Sequence, residues 1–327
     1  MKIIFFGTPD YVVPIVDHLH KVFHVTKQKE SGVIAVVTQP PKQVGRDRLI
    51  DHSPVDKWAW CKKIQIITNI KTQELPVADL GVVAAYGVLI PKNCIDHFPY
   101  GIVNIHPSLL PAFRGASPVQ AALVTGTNPT GLTVIQMDEL MDHGQIISQF
   151  KEEVLPDDTT ESLRVRLFDR SAKFLTDLLP NYLAKKIRPK SQDDQKATFT
   201  KTVTRDDGYI PPDILQLVTG DQWSKKEAEL KINFIKDYSL RCTPETIYRF
   251  ICAMTPWPGA WTKIVIGDPR SVKSEKRLKV LEAHLSQSNS HQPQLVLDLV
   301  QLESKNPVSW EEFKRGYPSV ILTTEGE

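Results

Sequence analysis

Three polar residues near the middle of the chain are of types that together suit acyl transfer to an amine. Asn104 and His106 stand two apart at the end of an apolar run that predicts a β-strand, so both side chains face the same way. Asp142 ends a second strand-to-turn segment and is expected to reach the same place. An amide and an imidazolium can donate to a developing oxyanion, while a carboxylate orients the imidazole and steers protons.

The elements that must position these residues alternate between strand-like and helix-like segments. Helices are predicted at Val55–Lys63 and Pro118–Thr125. Apolar runs rich in Val and Ile predict strands buried on both faces, at Lys2–Phe6, Gly32–Thr38, Leu80–Tyr86, Gly101–Ile105, Leu132–Met137 and Gln145–Val154. This alternation is typical of a mainly parallel sheet with helices on both faces, in which ligands bind at the carboxyl edge of the strands.

The pattern changes in the second half of the chain. A long helix is predicted from about Thr159, since Asp158 and Glu161 have capping-box spacing. Lys186–Asp194 is interpreted as part of a linker, and Asp207–Asp237 fits no element. After a helix at Pro244–Met254, short β-like runs predict a small barrel, at Trp261–Ile266, Leu278–His284, Leu295–Leu302 and Ser319–Thr323.

We therefore predict an α/β fold with two domains. Residues 1–188 form a Rossmann-like domain with a mainly parallel sheet, residues 189–205 a linker, and residues 206–327 a small OB-like β-barrel domain. A dinucleotide enzyme is excluded, because Phe6-Gly7-Thr8-Pro9-Asp10 stands where such a fold carries G-x-G-x-x-G and has only one of those glycines.

Composition excludes several further classes of protein. The formal net charge of +2 over 327 residues does not indicate a general nucleic-acid binder, so any polyanion site must be local. The 4 cysteines form no CxxC pair, which disfavours zinc knuckles and a disulfide framework. No stretch approaches the ~20 apolar residues of a membrane span. We expect a cytoplasmic monomer with no membrane partner.

The polar residues first described belong to a longer motif with a known resemblance. Asn104-x-His106-x-Ser108-Leu109-Leu110-Pro111, together with Asp142-x-Gly144, resembles the signature of the folate-dependent formyltransferases. The resemblance implies that Asn104, His106 and Asp142 are the catalytic trio. It also implies 10-formyltetrahydrofolate as formyl donor, without a metal.

A second motif resembles the loop whose backbone binds the pterin ring in that family. It is Ala85-Tyr86-Gly87-Val88-Leu89-Ile90-Pro91. The resemblance implies folate contacts from two groups of residues, which are Gly87, Val88, Leu89, Ile90 and Pro91 in this loop and Ser108, Leu109, Leu110 and Pro111 beside the trio.

A third resemblance concerns the acceptor of the formyl group. Thr38-Gln39-Pro40, Gly45-Arg46 and Ser53-Pro54-Val55 resemble the long loop of the methionyl-tRNA formyltransferases, which reaches the acceptor stem. This implies initiator methionyl-tRNA as partner, bound by Lys42, Arg46 and Arg48. The Trp-Pro run Pro256–Trp261 resembles the small barrel domain of the same enzymes, which helps to hold tRNA.

Three alternatives stay open at this point. The enzyme could formylate another amine, such as glycinamide ribonucleotide or an amino sugar nucleotide. The same trio could hydrolyse formyltetrahydrofolate, with water as the nucleophile. The chain could also be a non-catalytic module that binds tRNA or folate, although such a module would not need the complete trio.

Overall fold

The structure, a computed structural model, describes residues 1–25, 31–45, 47–220, 227–266, 274–287 and 293–318. Its contacts define two compact units. Unit 1 comprises Met1–Arg114, Pro129–Glu153 and Arg164–Ala197, and unit 2 comprises Gly115–Asn128, Val154–Leu163 and Thr198–Glu327. The domains 1–188, 189–205 and 206–327 stay a prediction, because a unit defined by contacts need not fold alone.

Strands and helices are numbered here in chain order. The strands are β1 Lys2–Gly7, β2 Gly32–Val37, β3 Lys42–Val44, β4 Leu49–Asp51, β5 Gln65–Ile67, β6 Leu80–Ala84, β7 Ile102–His106, β8 Arg114–Gly115, β9 Thr130–Gln136, β10 Gln145–Glu152, β11 Phe199–Thr200, β12 Glu229–Lys231, β13 Ser239–Arg241, β14 Ala260–Ile266, β15 Ser274–Gln287, β16 Pro293–Leu302 and β17 Val308–Ser309. The α-helices are α1 Val13–Phe23, α2 Pro54–Lys62, α3 Lys92–Ile95, α4 Pro118–Thr125, α5 Thr160–Leu183, α6 Pro212–Thr219, α7 Pro244–Met254 and α8 Trp310–Gly316.

Unit 1 contains a sheet that, in the described residues, has seven strands in the order β10-β9-β7-β6-β1-β2-β5. The strands from β7 to β5 run parallel to one another, whereas β9 and β10 are antiparallel to their neighbours. β1 and β6 are almost entirely buried, which explains why they are apolar throughout instead of alternating. The prediction of a mainly parallel sheet is confirmed.

Helix starts follow local signals, with one correction to the sequence prediction. At α2, the Ser53 hydroxyl accepts a hydrogen bond from the Asp56 amide at 3.1 Å, ahead of Pro54. At α5 the expected pair Asp158 and Glu161 is wrong by one position. Thr159 and Ser162 cap each other instead, with amide-to-hydroxyl distances of 3.0 and 3.2 Å.

Unit 2 contains a separate antiparallel sheet, which in the described residues has four strands in the order β14-β15-β16-β17. α7 packs against α4, β15 and β16 and contributes Ile247, Phe250 and Ile251 to the buried core. The stretch that fitted no element contains α6 and β12, while the predicted strand Ser319–Thr323 lies outside the described residues. Among the described residues, no helix is both long and apolar enough to cross a membrane.

Candidate active site

The three residues predicted to be catalytic meet in unit 1. Asn104 Nδ2 donates to Asp142 Oδ1 at 3.1 Å. His106 Nδ1 lies 3.5 Å from Asp142 Oδ2, and the side chains of His106 and Asp142 are only 4% and 13% exposed. The Asp142 carboxylate therefore contacts both partners, one with each oxygen, in surroundings where polar interactions are stronger than in water.

The second ring nitrogen of His106, Nε2, has a contact that shows which of the two nitrogens exchanges a proton at the site. Nε2 lies 2.9 Å from the carbonyl oxygen of Phe113. Because a carbonyl oxygen only accepts, Nε2 carries a hydrogen in any state that keeps this contact. Nδ1 is therefore the nitrogen that gains or loses a proton beside Asp142.

Asp142 lies in a turn, residues 138–144, that folds back over the sheet; we refer to it as the Asp142 turn. β9 ends at Gln136, which pairs with Val103 near the start of β7, yet Asp142 contacts side chains further along β7. Asp142 has a φ of +49°, in the left-handed region that Asp tolerates better than most residues. A Cβ on Gly144 would overlap the carbonyl oxygen of Gln136, so this turn requires glycine there.

A glutamine from the predicted linker holds the Asp142 turn. Gln192 Nε2 donates to the carbonyl oxygens of Asp142 and Gly144, both at 2.8 Å. Gln192 Oε1 accepts from Arg114 Nε at 3.0 Å and from Arg114 Nη2 at 2.8 Å. Gln192 could not be predicted as a site residue, because no local pattern distinguishes it from an ordinary polar linker residue. Lys190, two residues earlier, pairs with Ile146 through both backbone groups.

His143, to which the sequence analysis assigns no role, lies between two carboxylates. Its Nδ1 is 2.5 Å from Asp138 Oδ2 and its Nε2 is 3.6 Å from Asp194 Oδ2. Asp194 also accepts from Arg114 Nη2 at 2.7 Å. The hydrogen bond with Asp138 raises the pKa of His143 and the charge of Asp194 acts in the same direction, whereas burial and the charge of Arg114 oppose them.

The loop that follows β7 is held by polar side chains of β9 and β10. Thr133 Oγ1 donates to the Ser108 carbonyl oxygen at 2.6 Å and accepts from the Leu110 amide at 3.0 Å. Gln149 Nε2 donates to the Leu110 carbonyl oxygen at 2.9 Å. These bonds fix the backbone of Ser108–Pro111 directly after His106, while its contact with folate stays a prediction.

The other predicted folate segment leaves the end of β6. Gly87 has a φ of +77°, and Pro91 precedes α3. Val88 and Leu89 are 51% and 78% exposed, whereas Ile90 packs against the buried core. Two neighbouring large apolar side chains in water suit a surface that a ligand covers.

A cavity of about 630 Å³ lies between α3, the residues before β7 and the start of the Asp142 turn, and its lining contains none of the predicted catalytic or folate-binding residues. Its lining includes Lys92 and Ile95 of α3, directly after Pro91. It also includes Met137, Asp138 and Glu139, which lead into Asp142. Small-molecule sites are typically ~300–1,000 Å³, so the cavity has the size of an organic cofactor.

Two of the three residues predicted to bind tRNA, Lys42 and Arg48, belong to the two strands β3 and β4 and the turn between them, which we call the basic hairpin (described residues 42–45 and 47–51). Lys42 and Arg48 are both exposed, and Arg46 lies outside the described residues. Leu49 and Ile50 are each 68% exposed on the same hairpin. The structure thus places Lys42 and Arg48 at the surface, and their contact with tRNA stays a prediction.

Known proteins resemble this chain over most of its length. A family model described as formyl transferase matches residues 1–179, and one described as formyl transferase, C-terminal domain, matches residues 237–295. The methionyl-tRNA formyltransferase of Listeria innocua is 34% identical over 290 residues, covering 86% of this chain and 78% of that protein. The methionyl-tRNA formyltransferase of Gluconobacter oxydans is 30% identical and covers 97% of both chains. The chain belongs to the formyltransferase family.

Solved structures share the fold of this formyltransferase. The methionyl-tRNA formyltransferase of Clostridium thermocellum matches 92% of this chain and 98% of that chain, with a TM-score of 0.52 and 18% identity. An N-formyltransferase of Helicobacter canadensis, solved with folinic acid and dTDP-3-aminofucose, matches 91% and 98% with a TM-score of 0.59 and 15% identity. The family and the formyltransferase activity that the sequence motifs implied are confirmed.

Proposed function

We propose that this formyltransferase transfers the formyl group of 10-formyltetrahydrofolate to the α-amine of methionine on initiator tRNA, for translation initiation. The observation that carries the proposal is the contact of one buried carboxylate with an amide and an imidazole, formed by Asp142, Asn104 and His106. The relatives at 30% and 34% identity are named for this acceptor, which supports the choice of methionyl-tRNA.

The folate would lie between the Gly87–Pro91 segment and the Asp142 turn, with its formyl group near Asn104 and His106. Two features support this position. The exposed apolar side chains of Val88 and Leu89 lie in the segment that precedes α3. The fixed backbone of Ser108–Pro111 follows His106 directly. The pterin would contact the Gly87–Pro91 backbone, with the formyl group directed toward Asn104.

In the proposed reaction the neutral α-amine attacks the formyl carbon, and an oxyanion develops on the formyl oxygen. Asn104 Nδ2 has two hydrogens and donates one to Asp142, so the other can stabilise the oxyanion. Protonated His106 would donate through Nδ1, because its Nε2 hydrogen is bound to Phe113. The intermediate then collapses as the bond between the formyl carbon and N10 of the folate breaks and N10 gains a proton.

Asp142 has two tasks in this scheme. Its charge orients protonated His106 through the 3.5 Å contact with Nδ1, which is longer than a normal hydrogen bond and leaves the Nδ1 hydrogen for the oxyanion. Asp142 also helps to remove, directly or through a water molecule, the proton that the attacking nitrogen loses on becoming an amide. Its low exposure limits competition from bulk water for the same proton.

The tRNA would bind through the basic hairpin, with Lys42, Arg46 and Arg48 on the phosphates of the acceptor stem. We propose that residues 1–188 carry the chemistry, that residues 206–327 help to hold the tRNA, and that the enzyme works as a cytoplasmic monomer. Phosphate contacts predict an affinity that falls steeply as salt concentration rises.

A formylation assay tests the proposal against its alternatives. Purified enzyme and labelled formyl donor are offered initiator methionyl-tRNA, elongator methionyl-tRNA, glycinamide ribonucleotide and an amino sugar nucleotide in turn. We expect the highest kcat/KM with initiator methionyl-tRNA. A higher value with one of the two small acceptors would overturn the choice of substrate. Full-rate loss of formyl from folate without any amine would identify a hydrolase instead.

A further inference from the structure

We infer that Gln192 is a positioning residue for Asp142, held in its working orientation by Arg114. The inference rests on the proposed function, because it assigns Gln192 a role in the reaction that Asp142 carries. Gln192 itself does not touch the reacting atoms. It acts on the backbone of the Asp142 turn.

Gln192 binds the backbone of the Asp142 turn at two points. Its Nε2 donates to the carbonyl oxygens of Asp142 and Gly144, both at 2.8 Å. Two residues of one turn are thereby joined through a single amide nitrogen. Because the carbonyl groups of Asp142 and Gly144 lie on either side of His143 in the chain, binding both of them restrains the backbone that carries the carboxylate.

Arg114 determines the orientation of the Gln192 amide. An amide that flips exchanges its donor and its acceptor. Here Oε1 accepts from both Nε and Nη2 of Arg114, at 3.0 and 2.8 Å, so a flip would place an NH₂ group against a guanidinium that can only donate. Arg114 is 4% exposed and also bonds Asp194 at 2.7 Å, which fixes the guanidinium in turn.

The backbone conformation of Asp142 and its two side-chain contacts explain why the Asp142 turn needs such support. Asp142 has a φ of +49°, a conformation that L residues adopt at a cost. Its carboxylate has to keep a 3.1 Å bond to Asn104 and a 3.5 Å contact with His106 at the same time. A displacement of ~1 Å in a catalytic group can reduce the rate ~100-fold, so a small relaxation of the turn would lower kcat without disturbing the fold.

The decisive variant is Gln192→Glu. A glutamate has nearly the same shape and keeps the acceptor oxygens for Arg114, but it has no hydrogen to donate to the two carbonyl groups. We expect kcat for formylation to fall by about 10- to 100-fold, with the KM for folate and for tRNA within ~2-fold of wild type. Gln192→Ala should lose kcat to a similar extent, and it keeps the test valid if Gln192→Glu folds poorly.

The matched control is Gln195→Ala, an exposed glutamine three residues further along the same segment, which should leave kcat unchanged. Thermal unfolding of every variant shows that the loss of kcat is not a loss of folded protein. If Gln192→Glu keeps wild-type kcat while Gln192→Ala loses it, the residue only fills space and anchors Arg114, and the inference is wrong. Wild-type kcat in both variants would also overturn it. If wild-type enzyme formylates no acceptor, the proposed function fails instead, so the two failures are distinguishable.

Discussion

The Asp142 turn and the basic hairpin both carry predicted functional residues, but they are built differently. In the Asp142 turn, the carboxylate contacts Asn104 and His106, and the backbone is bonded to Gln192. The basic hairpin is exposed along most of its length, including the side chains of Lys42 and Arg48.

The difference agrees with the roles proposed for the two regions. Bond formation at a carbonyl carbon requires donors fixed within a fraction of an ångström, so the turn is supported by several hydrogen bonds. Phosphate groups of a nucleic acid are attracted over longer distances by exposed cations, and binding releases counterions whatever the detailed side-chain geometry. The turn should therefore respond to substitution in kcat, and the hairpin in KM for tRNA.

Asp142→Asn should give the largest effect. An asparagine tolerates the φ of +49° that Asp142 adopts, so the fold should survive while the negative charge beside His106 is lost. We expect kcat to fall by roughly 10³- to 10⁴-fold, near the upper end of general acid–base effects. Steady-state formylation kinetics measure this, with Asp177→Asn on the exposed side of α5 as the control. Near-normal turnover would contradict the role of Asp142.

Asn104→Ala should come next. It removes a hydrogen-bond donor to the oxyanion and one of the two contacts of the Asp142 carboxylate. Loss of one oxyanion donor typically costs ~10²- to 10³-fold in kcat, and the KM for tRNA should stay unchanged. The control is Asn93→Ala, an exposed asparagine in α3. A large rise in KM with an intact kcat would show that Asn104 binds substrate and does not stabilise the transition state.

Alanine substitutions at Lys42, Arg46 and Arg48 test whether the basic hairpin binds tRNA. Each should raise the KM for tRNA by about 2- to 10-fold and reduce the slope of log affinity against log salt by about one. The KM for folate and kcat should not change. Lys173→Ala, on α5, serves as the control for a general loss of positive charge. Equal effects on both KM values would remove the hairpin from the tRNA site.

The smallest effect should come from His143→Gln and should depend on pH. Because Asp138 raises the pKa of His143 above the ordinary value of 6.5, the charged imidazolium stabilises the folded state. This contribution is complete below the unfolded pKa and is lost as pH rises through the higher folded pKa. The Tm of wild type should exceed that of the variant at low pH, and the difference should shrink at high pH. A Tm difference that is independent of pH would contradict this assignment. So would a pH-dependent Tm difference of the same size when His143→Gln is compared in an Asp138→Asn background.

Asn104 and His106 could be placed side by side from the sequence because their spacing is a local signal, whereas the addition of Asp142 rests on the resemblance of the longer motif. Asn104 and His106 are two apart on a strand, so a period of two places them on one face without any knowledge of the fold. The strands of the parallel sheet are continuous apolar runs, which predict burial on both faces. The α5 cap was predicted one residue too early because Asp158 and Thr159 are both good N-cap residues.

Gln192 and Asp194 could not be found in this way. Gln192 bonds to a residue 50 positions earlier, and the polar segment around it lacks the periodicity of a strand or helix. Lys190 pairs with Ile146, and this pairing brings the segment around Gln192 to the Asp142 turn. The buried bonds of Arg114 to Gln192 and Asp194 likewise depend on tertiary structure alone.

The crowding around Gly144 determines where this enzyme can vary. Position 144 has no space for a side chain beside the backbone of Gln136, and position 142 has to hold an acid in the proposed reaction. Neither restriction applies at position 143, because the His143 side chain points to Asp138 and Asp194. Residue 143 can therefore be exchanged, and the pH dependence of stability altered with it, while the groups proposed to react stay in place.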